Sequence, residues 1–230
     1  MTLEERVFQV REQIAKAAQK SGRSEKDIQL MAVTKTRTVQ EIDRALTCGI
    51  SLIGENKAQE LCAKYSGLAG KCRIHFIGHL QTNKISRIFD KVDLIESLDS
   101  VHLADALEHY AAMRQKTMDV LVQVNTGAEE AKGGFLFEEL NEFLGTIPMY
   151  PHLRVRGLMA VAPKDSNERM RTIRLFDKMF RFYIDNQKKK VDNMCMEYLS
   201  MGMSQDFDLA VEHGANLVRI GTGIFGPRNV

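Results

Sequence analysis

Lys35 closes the apolar run Leu30-Met31-Ala32-Val33-Thr34. An ammonium group between apolar walls is disfavoured by desolvation, which lowers its pKa and frees the amine as a nucleophile. Such an amine forms Schiff bases with carbonyl compounds. A lysine snorkelling from a strand end is the competing reading, and this feature by itself leaves both open. Two turns near the C-terminus carry a second kind of chemistry. One is Leu199-Ser200-Met201-Gly202-Met203-Ser204, and the other is Gly221-Thr222-Gly223-Ile224-Phe225-Gly226. Glycines let backbone N–H groups approach an anion closely, and the hydroxyls of Ser200, Ser204 and Thr222 add donors. The same glycines also suit turns that simply close tight corners.

Other candidates are more ambiguous. Gly54-Glu55-Asn56 offers a carboxylate and an amide after an apolar run, suited equally to a ligand or to capping the next helix. His75 and His79 lie in Arg73-Ile74-His75-Phe76-Ile77-Gly78-His79, with no H-E-x-x-H pattern and no carboxylate close by in sequence. No metal site is expected from them. Cys48, Cys62, Cys72 and Cys195 form no C-x-x-C pair, so they read as reduced, mostly buried small apolar residues.

The elements that must position these groups follow from hydrophobic periodicity. Candidate strands are Ile28–Thr34, Ile50–Ile53, Arg73–Ile77, Val92–Ile95, Met118–Val124, Leu153–Ala160, Met196–Met201 and Leu217–Ile220. Their starts recur roughly every 27 residues, enough for a strand, a helix and two short loops. Thr38-Val39-Gln40-Glu41 has the form of a capping box, and Asp165-Ser166-Asn167-Glu168 is a looser version. Met170, Ile173, Phe176, Phe180 and Ile184 mark one face of a long helix, while Leu103, Leu107 and Tyr110 mark another. An extra N-terminal helix spans Leu3 to Lys20, with Val7, Val10, Ile14 and Ala18 on one side and a stop at Ser21-Gly22. Several strands are apolar throughout, which suits a parallel sheet covered on both faces. Eight repeats predict an α/β fold, a single (β/α)8 TIM barrel over residues 1–230, with a doubly wound open sheet as the alternative. In such a barrel, groups at the strand C-termini are the functional ones, and the loops after strands 7 and 8 recurrently hold phosphate. The residues then point to a phosphorylated carbonyl ligand held by a lysine. Pyridoxal 5′-phosphate is one such ligand, and a sugar phosphate in a Schiff-base aldolase is another.

Composition narrows the class further. The chain has 230 residues, 44% hydrophobic and 27% charged, an ordinary globular balance. A net charge of +2 and no Trp make no case for nucleic acid. The run Lys188-Lys189-Lys190 reads as a solvated helix end. The charged start Met1-Thr2-Leu3-Glu4-Glu5-Arg6 is no signal peptide, and no apolar run approaches a membrane span, so a cytoplasmic protein is expected.

An ordered set of motifs decides between the ligands. Val33-Thr34-Lys35-Thr36, Gly54-Glu55-Asn56 with Gln59-Glu60, and His75-Phe76-Ile77-Gly78-His79-Leu80-Gln81-Thr82-Asn83-Lys84 occur in this order. Gly157-Leu158-Met159, Leu199-Ser200-Met201-Gly202-Met203-Ser204-Gln205-Asp206 and Val218-Arg219-Ile220-Gly221-Thr222-Gly223-Ile224-Phe225-Gly226 follow. Together, over roughly residues 5 to 228, they resemble the YggS/PROSC family of pyridoxal phosphate homeostasis proteins. The resemblance implies one barrel of the alanine racemase N-terminal type with pyridoxal 5′-phosphate as cofactor. It implies a Schiff base on Lys35 and Arg219 facing the pyridine nitrogen. Ser200, Gly202, Gly221 and Thr222 would line the phosphate, and Asn56 and Met159 would flank the ring. Ser204 and Asp206 are expected to start the next helix and stay outside the site. Lys57 stands where the family often has an aromatic or aliphatic residue, and it is expected on the exposed side of a helix start. Lys132, in a loop, is expected to be solvated.

An arginine at the pyridine nitrogen stays protonated and keeps that nitrogen neutral, which weakens the ring as an electron sink. Two-domain racemases add a catalytic tyrosine from a second domain. This chain ends at Val230, so no such domain is expected. The implied function is a binding protein, without turnover, that holds the cofactor reversibly and hands it to apo-enzymes. An amino-acid racemase-like enzyme dependent on the same cofactor is the alternative. No long exposed apolar stripe demands a dimer, so a monomer is expected.

Overall fold

The computed structural model describes residues 1–126, 133–161 and 169–227. Helix α1 (Leu3–Lys20) precedes β1 (Gln29–Val33), and α2 (Val39–Thr47), β2 (Leu52–Glu55), α3 (Ala58–Leu68), β3 (Arg73–Phe76) and α4 (Ile85–Ile88) follow. Next come β4 (Leu94–Leu98), α5 (Val101–Arg114), β5 (Met118–Val124), α6 (Phe137–Thr146) and β6 (Leu153–Ala160). The chain continues through α7 (Arg169–Gln187), β7 (Met194–Ser200), α8 (Phe207–Glu212), β8 (Leu217–Ile220) and the single turn α9 (Thr222–Phe225). The strands close a barrel in chain order, and β8 pairs back onto β1. Each pairing is parallel, so every return crosses outside the sheet, and helices supply the crossovers. The open-sheet alternative is excluded by this closure.

Side chains alternate across each strand, and the two sets form separate clusters. Ala32, Ile53, Ile74, Ile95, Val120, Leu158, Val218 and Ile220 belong to the large cluster beneath the helices. Met31, Leu52, Leu94, Leu121, Met159, Tyr198 and Leu217 form a smaller cluster inside the barrel. The residues between the outward ones therefore point inward, and His75, Glu96, Ser200 and Arg219 are among them, all buried.

Three strands have the bounds read from sequence. The second and fourth extend further toward their C-termini than expected, to Glu55 and Leu98. Glu55, Glu96 and Ser97 broke the apolar runs, yet all three are fully buried. Thr38 and Glu41 form the expected capping box on α2, and Thr2 and Glu5 form another on α1. Gly22 leaves α1 with φ of 70° after the Ser21 cap. The face of α7 differs from the one expected. Phe176, Met179 and Tyr183 are buried, whereas Met170 and Phe180 are exposed. Two features anchor this rotation: Tyr183 Oη donates to the Glu197 carbonyl at 3.0 Å, and the Phe180 ring lies over Gly214, where a Cβ would sit 2.2 Å from it. The loose box Asp165–Glu168 lies outside the described residues. All four cysteines are free thiols; Cys195 is exposed and the others are half-buried rather than buried. Among the described residues, no helix is long and apolar enough to cross a membrane.

Candidate functional site

The end of β1 is held from both sides of Lys35. The Thr34 N–H donates to the Gly54 carbonyl at 3.0 Å, and Thr34 Oγ1 donates to Glu55 Oε1 at 2.6 Å. Lys64 Nζ, from α3, donates to the Thr34 carbonyl and to Glu55 Oε1, both at 2.9 Å. The Thr36 N–H donates to Glu60 Oε2 at 2.8 Å. Thr36 sits at φ of 63°, a left-handed conformation that a β-branched residue adopts at a cost. Lys35 itself is half-buried in this tied loop. Burial raises the Glu60 pKa, but the Thr36 N–H and the Lys64 ammonium outweigh it, and the net shift is downward. Arg37 Nη2 donates to the Gly226 carbonyl at 2.9 Å, which joins this loop to the one after β8.

Register places the other strand ends beside Lys35. Val33 pairs with Gly54, so Lys35 is level with Asn56 on one side. Ala32 pairs with Ile220, so on the other side Gly221 is level with Val33, two residues before Lys35, and Thr222 begins α9 just beyond it. Asn56 Oδ1 is enclosed without a hydrogen-bond partner. Thr222 is exposed, and Gly221 has room, its nearest neighbour being Val33 at 3.5 Å from a Cβ position. Gly202, at φ of 92°, lies against α8, where a Cβ would be 2.5 Å from that of Ala210. Ser204 does not cap α8 as expected. Its Oγ accepts from the Gly223 N–H at 3.3 Å and joins the loops after β7 and β8. Asp206 starts α8 as expected, at its N-cap position, while its carboxylate accepts from the Met203 N–H at 2.6 Å and burial raises its pKa.

Beneath these loops four strands contribute one polar chain. His75 Nδ1 lies 2.8 Å from Glu96 Oε1, and Ser200 Oγ donates to Glu96 Oε2 at 2.6 Å. Arg219 Nη1 donates to Ser200 Oγ at 2.6 Å, and its Nη2 donates to the Ala160 carbonyl at 2.6 Å. Burial lowers the Arg219 pKa, while the Glu96 and Asp206 carboxylates oppose that shift. Ser200 was expected to line a phosphate. Its hydroxyl is fully buried, donating to Glu96 and accepting from Arg219. Met159 is buried in the inner cluster on β6, beside Ser200 in register.

Both histidines meet carboxylates that are distant in sequence. His79 is exposed at the rim, with Nδ1 2.7 Å from Asp99 Oδ2. Among the described residues, no group of three or more metal-type side chains gathers. Lys57 is exposed at the start of α3, as expected, and Lys132 lies outside the described residues. Sequence reasoning missed Glu96 and the tie made by Lys64. The one signal available was polarity inside otherwise apolar strands.

A closed eight-stranded barrel with a lysine after β1 and an arginine inside β8 defines the class. The family model of the alanine racemase N-terminal domain matches residues 7–229. The pyridoxal phosphate homeostasis protein of Aquifex aeolicus is 40% identical over 225 residues, 97% of either chain. PipY of Synechococcus elongatus, solved with PLP bound, is 30% identical, with a TM-score of 0.83 over 98% of this chain and 100% of that one. Alanine racemase from Corynebacterium glutamicum shares the fold, at 14% identity and a TM-score of 0.65, and this chain spans 61% of it. The chain belongs to the family of pyridoxal phosphate homeostasis proteins, within the alanine racemase N-terminal domain fold.

Proposed function

We propose that this chain binds pyridoxal 5′-phosphate as a Schiff base on Lys35 and buffers the cofactor in the cell without catalytic turnover. The observation that carries this reading is the placement of Lys35. It leaves β1 level with Asn56 and two residues past the level of Gly221, above a buried arginine, in a loop tied on both sides. The full-length likeness to a structure with PLP bound supports it.

The residues present fit the group. Its aldehyde matches the Lys35 amine, and its pyridine nitrogen matches the Arg219 guanidinium. Its phosphate matches Gly202, Gly221 and Thr222, to which Ser204 is added because its hydroxyl joins their two loops. Asn56 brings an enclosed Oδ1 without a partner, and Met159 an apolar surface. Ser200 acts through Arg219. When bound, pyridoxal phosphate supplies an electrophilic carbonyl and a ring able to accept electrons.

Arg219 argues for binding over turnover. A guanidinium stays charged, so it donates to a pyridine nitrogen and withholds a proton from it. That favours retention of the cofactor over stabilisation of a substrate carbanion. The whole is read as one cytoplasmic, monomeric barrel over residues 1–230 that releases cofactor to apo-enzymes.

The test is the near-ultraviolet and visible absorption of the purified protein, followed by borohydride reduction and peptide mapping, beside Lys35→Ala. A yellow wild type labelled on Lys35 and a nearly colourless variant are expected. A wild type that takes up no added pyridoxal phosphate overturns the reading. Loss of substrate α-deuterium well above that caused by free cofactor would favour the racemase-like alternative.

A further inference from the structure

We infer that Glu96 is a positioning residue for Arg219. Working through Ser200, it orients the guanidinium where the pyridine nitrogen is to be met. The inference rests on the cofactor reading above.

The geometry is specific. Glu96 is fully buried on β4, and each of its carboxylate oxygens is engaged. Oε2 accepts from Ser200 Oγ at 2.6 Å and stands 3.9 Å from Arg219 Nη1. The Ser200 hydroxyl has one proton, which goes to Glu96, so its lone pairs face Arg219 and accept from Nη1 at 2.6 Å. Nη2 is held separately by the Ala160 carbonyl at 2.6 Å. Two donors of one planar fork are thus held by acceptors on the neighbouring strands β7 and β6, which fixes the plane of the guanidinium. On its other side, Oε1 pairs with His75 Nδ1 at 2.8 Å, and the His75 ring meets the edge of Tyr198. Asp206, from the loop after β7, is the second carboxylate acting on Arg219. A buried guanidinium needs such compensation, because burial alone disfavours its charge.

This role differs from simple core filling. A residue that only packed would change stability and leave the guanidinium's orientation alone. The sequence around it, Leu94-Ile95-Glu96-Ser97-Leu98, carries a buried carboxylate where an apolar side chain would pack more cheaply.

The test compares wild type with Glu96→Gln, which keeps the shape and removes the charge. The first readout needs no cofactor: the side-chain nitrogen resonances of Arg219 in the uniformly labelled protein. Slow rotation should give separate Nη1 and Nη2 signals in wild type, and Glu96→Gln should merge or broaden them. The second uses added pyridoxal phosphate, with borohydride mapping to check that Lys35 still carries the label. Glu96→Gln should keep the label but release cofactor at least ~tenfold faster, the fold-change expected for losing a charge-assisted hydrogen bond. It should also shift the pH midpoint of the visible band. Should Glu96→Gln fail to fold, Ser200→Ala breaks the same chain and is read in the same way. Unchanged Arg219 resonances overturn the positioning role. So do an unchanged release rate and band in a labelled variant. Absence of label on wild-type Lys35 overturns the cofactor reading instead, while the resonances still decide whether Glu96 positions Arg219.

Discussion

The Thr36 N–H donates to Glu60 Oε2 at 2.8 Å, so the residue after Lys35 is tied to the helix that follows the next strand. The tie holds Thr36 in its left-handed conformation and thereby sets the direction in which Lys35 leaves β1.

Glu60→Gln should loosen this loop. Amide hydrogen exchange at Thr36 should rise about tenfold or more, as for loss of a hydrogen bond to a charged group. The acid dependence has a definite sign. The Glu60 pKa is depressed in the folded protein, so its contribution is complete above the ordinary glutamate value of 4.5. It is lost as the pH falls through the lower folded value. Unfolding curves of wild type and Glu60→Gln should therefore differ at neutral pH and converge on acidification below that range.

Lys64→Met should be strongly destabilising. It leaves Glu55, fully buried, without its cation. Removing one partner of a buried pair costs about 3–5 kcal/mol. Urea denaturation should show this loss, and adding Glu55→Gln should recover more than half of it. A single-variant loss below ~1 kcal/mol would mean that Glu55 is compensated by Thr34 alone.

Two glycines should respond very differently to alanine. Gly157 has φ of 148° on β6, and a Cβ there would lie 1.9 Å from the Tyr198 carbonyl oxygen. Gly157→Ala should cost more than ~3 kcal/mol, because a neighbouring strand has to move as well as the backbone strain. Gly70, at φ of 76°, has nothing within 4 Å of a Cβ position. Gly70→Ala should cost about 1–2 kcal/mol, the left-handed penalty alone. Thermal unfolding of the pair checks the ordering.

Thiol reactivity should separate the cysteines. Burial, together with the nearby Asp93 and Asp43 carboxylates, pushes the Cys72 thiol up to about 11. The thiolate is the reacting form, so Cys72 should be slow toward an aromatic disulfide reagent near neutral pH. Cys195 is exposed and should react first. Peptide mapping after partial modification decides the order, and early labelling of Cys72 would show local opening at the start of β3.

The barrel was legible because its signals are local. Strand and helix periods alternate along the chain, and each repeat is complete within a short window. Lys35 and the glycine turns after β7 and β8 were legible for the same reason, since each ends its own apolar run. The face of α7 was read one step off. The apolar residues on it outnumber those the barrel can cover, and the contacts at Glu197 and Gly214 choose among them.

The sequence by itself thus determined the order of elements and the lysine that ends the first strand, because strand and helix periods are written in neighbouring residues, while the closure that excludes an open sheet came with the pairing of β8 onto β1. Only the tertiary structure decided how Glu96, Ser200 and Arg219 share protons, and which carboxylates meet His75 and His79. Glu96 and Ser200 are 104 residues apart and touch because strands on opposite sides of a closed barrel face one interior. A buried carboxylate has the same letter as a solvated one, and burial, which only the closed fold confers, makes it part of the site.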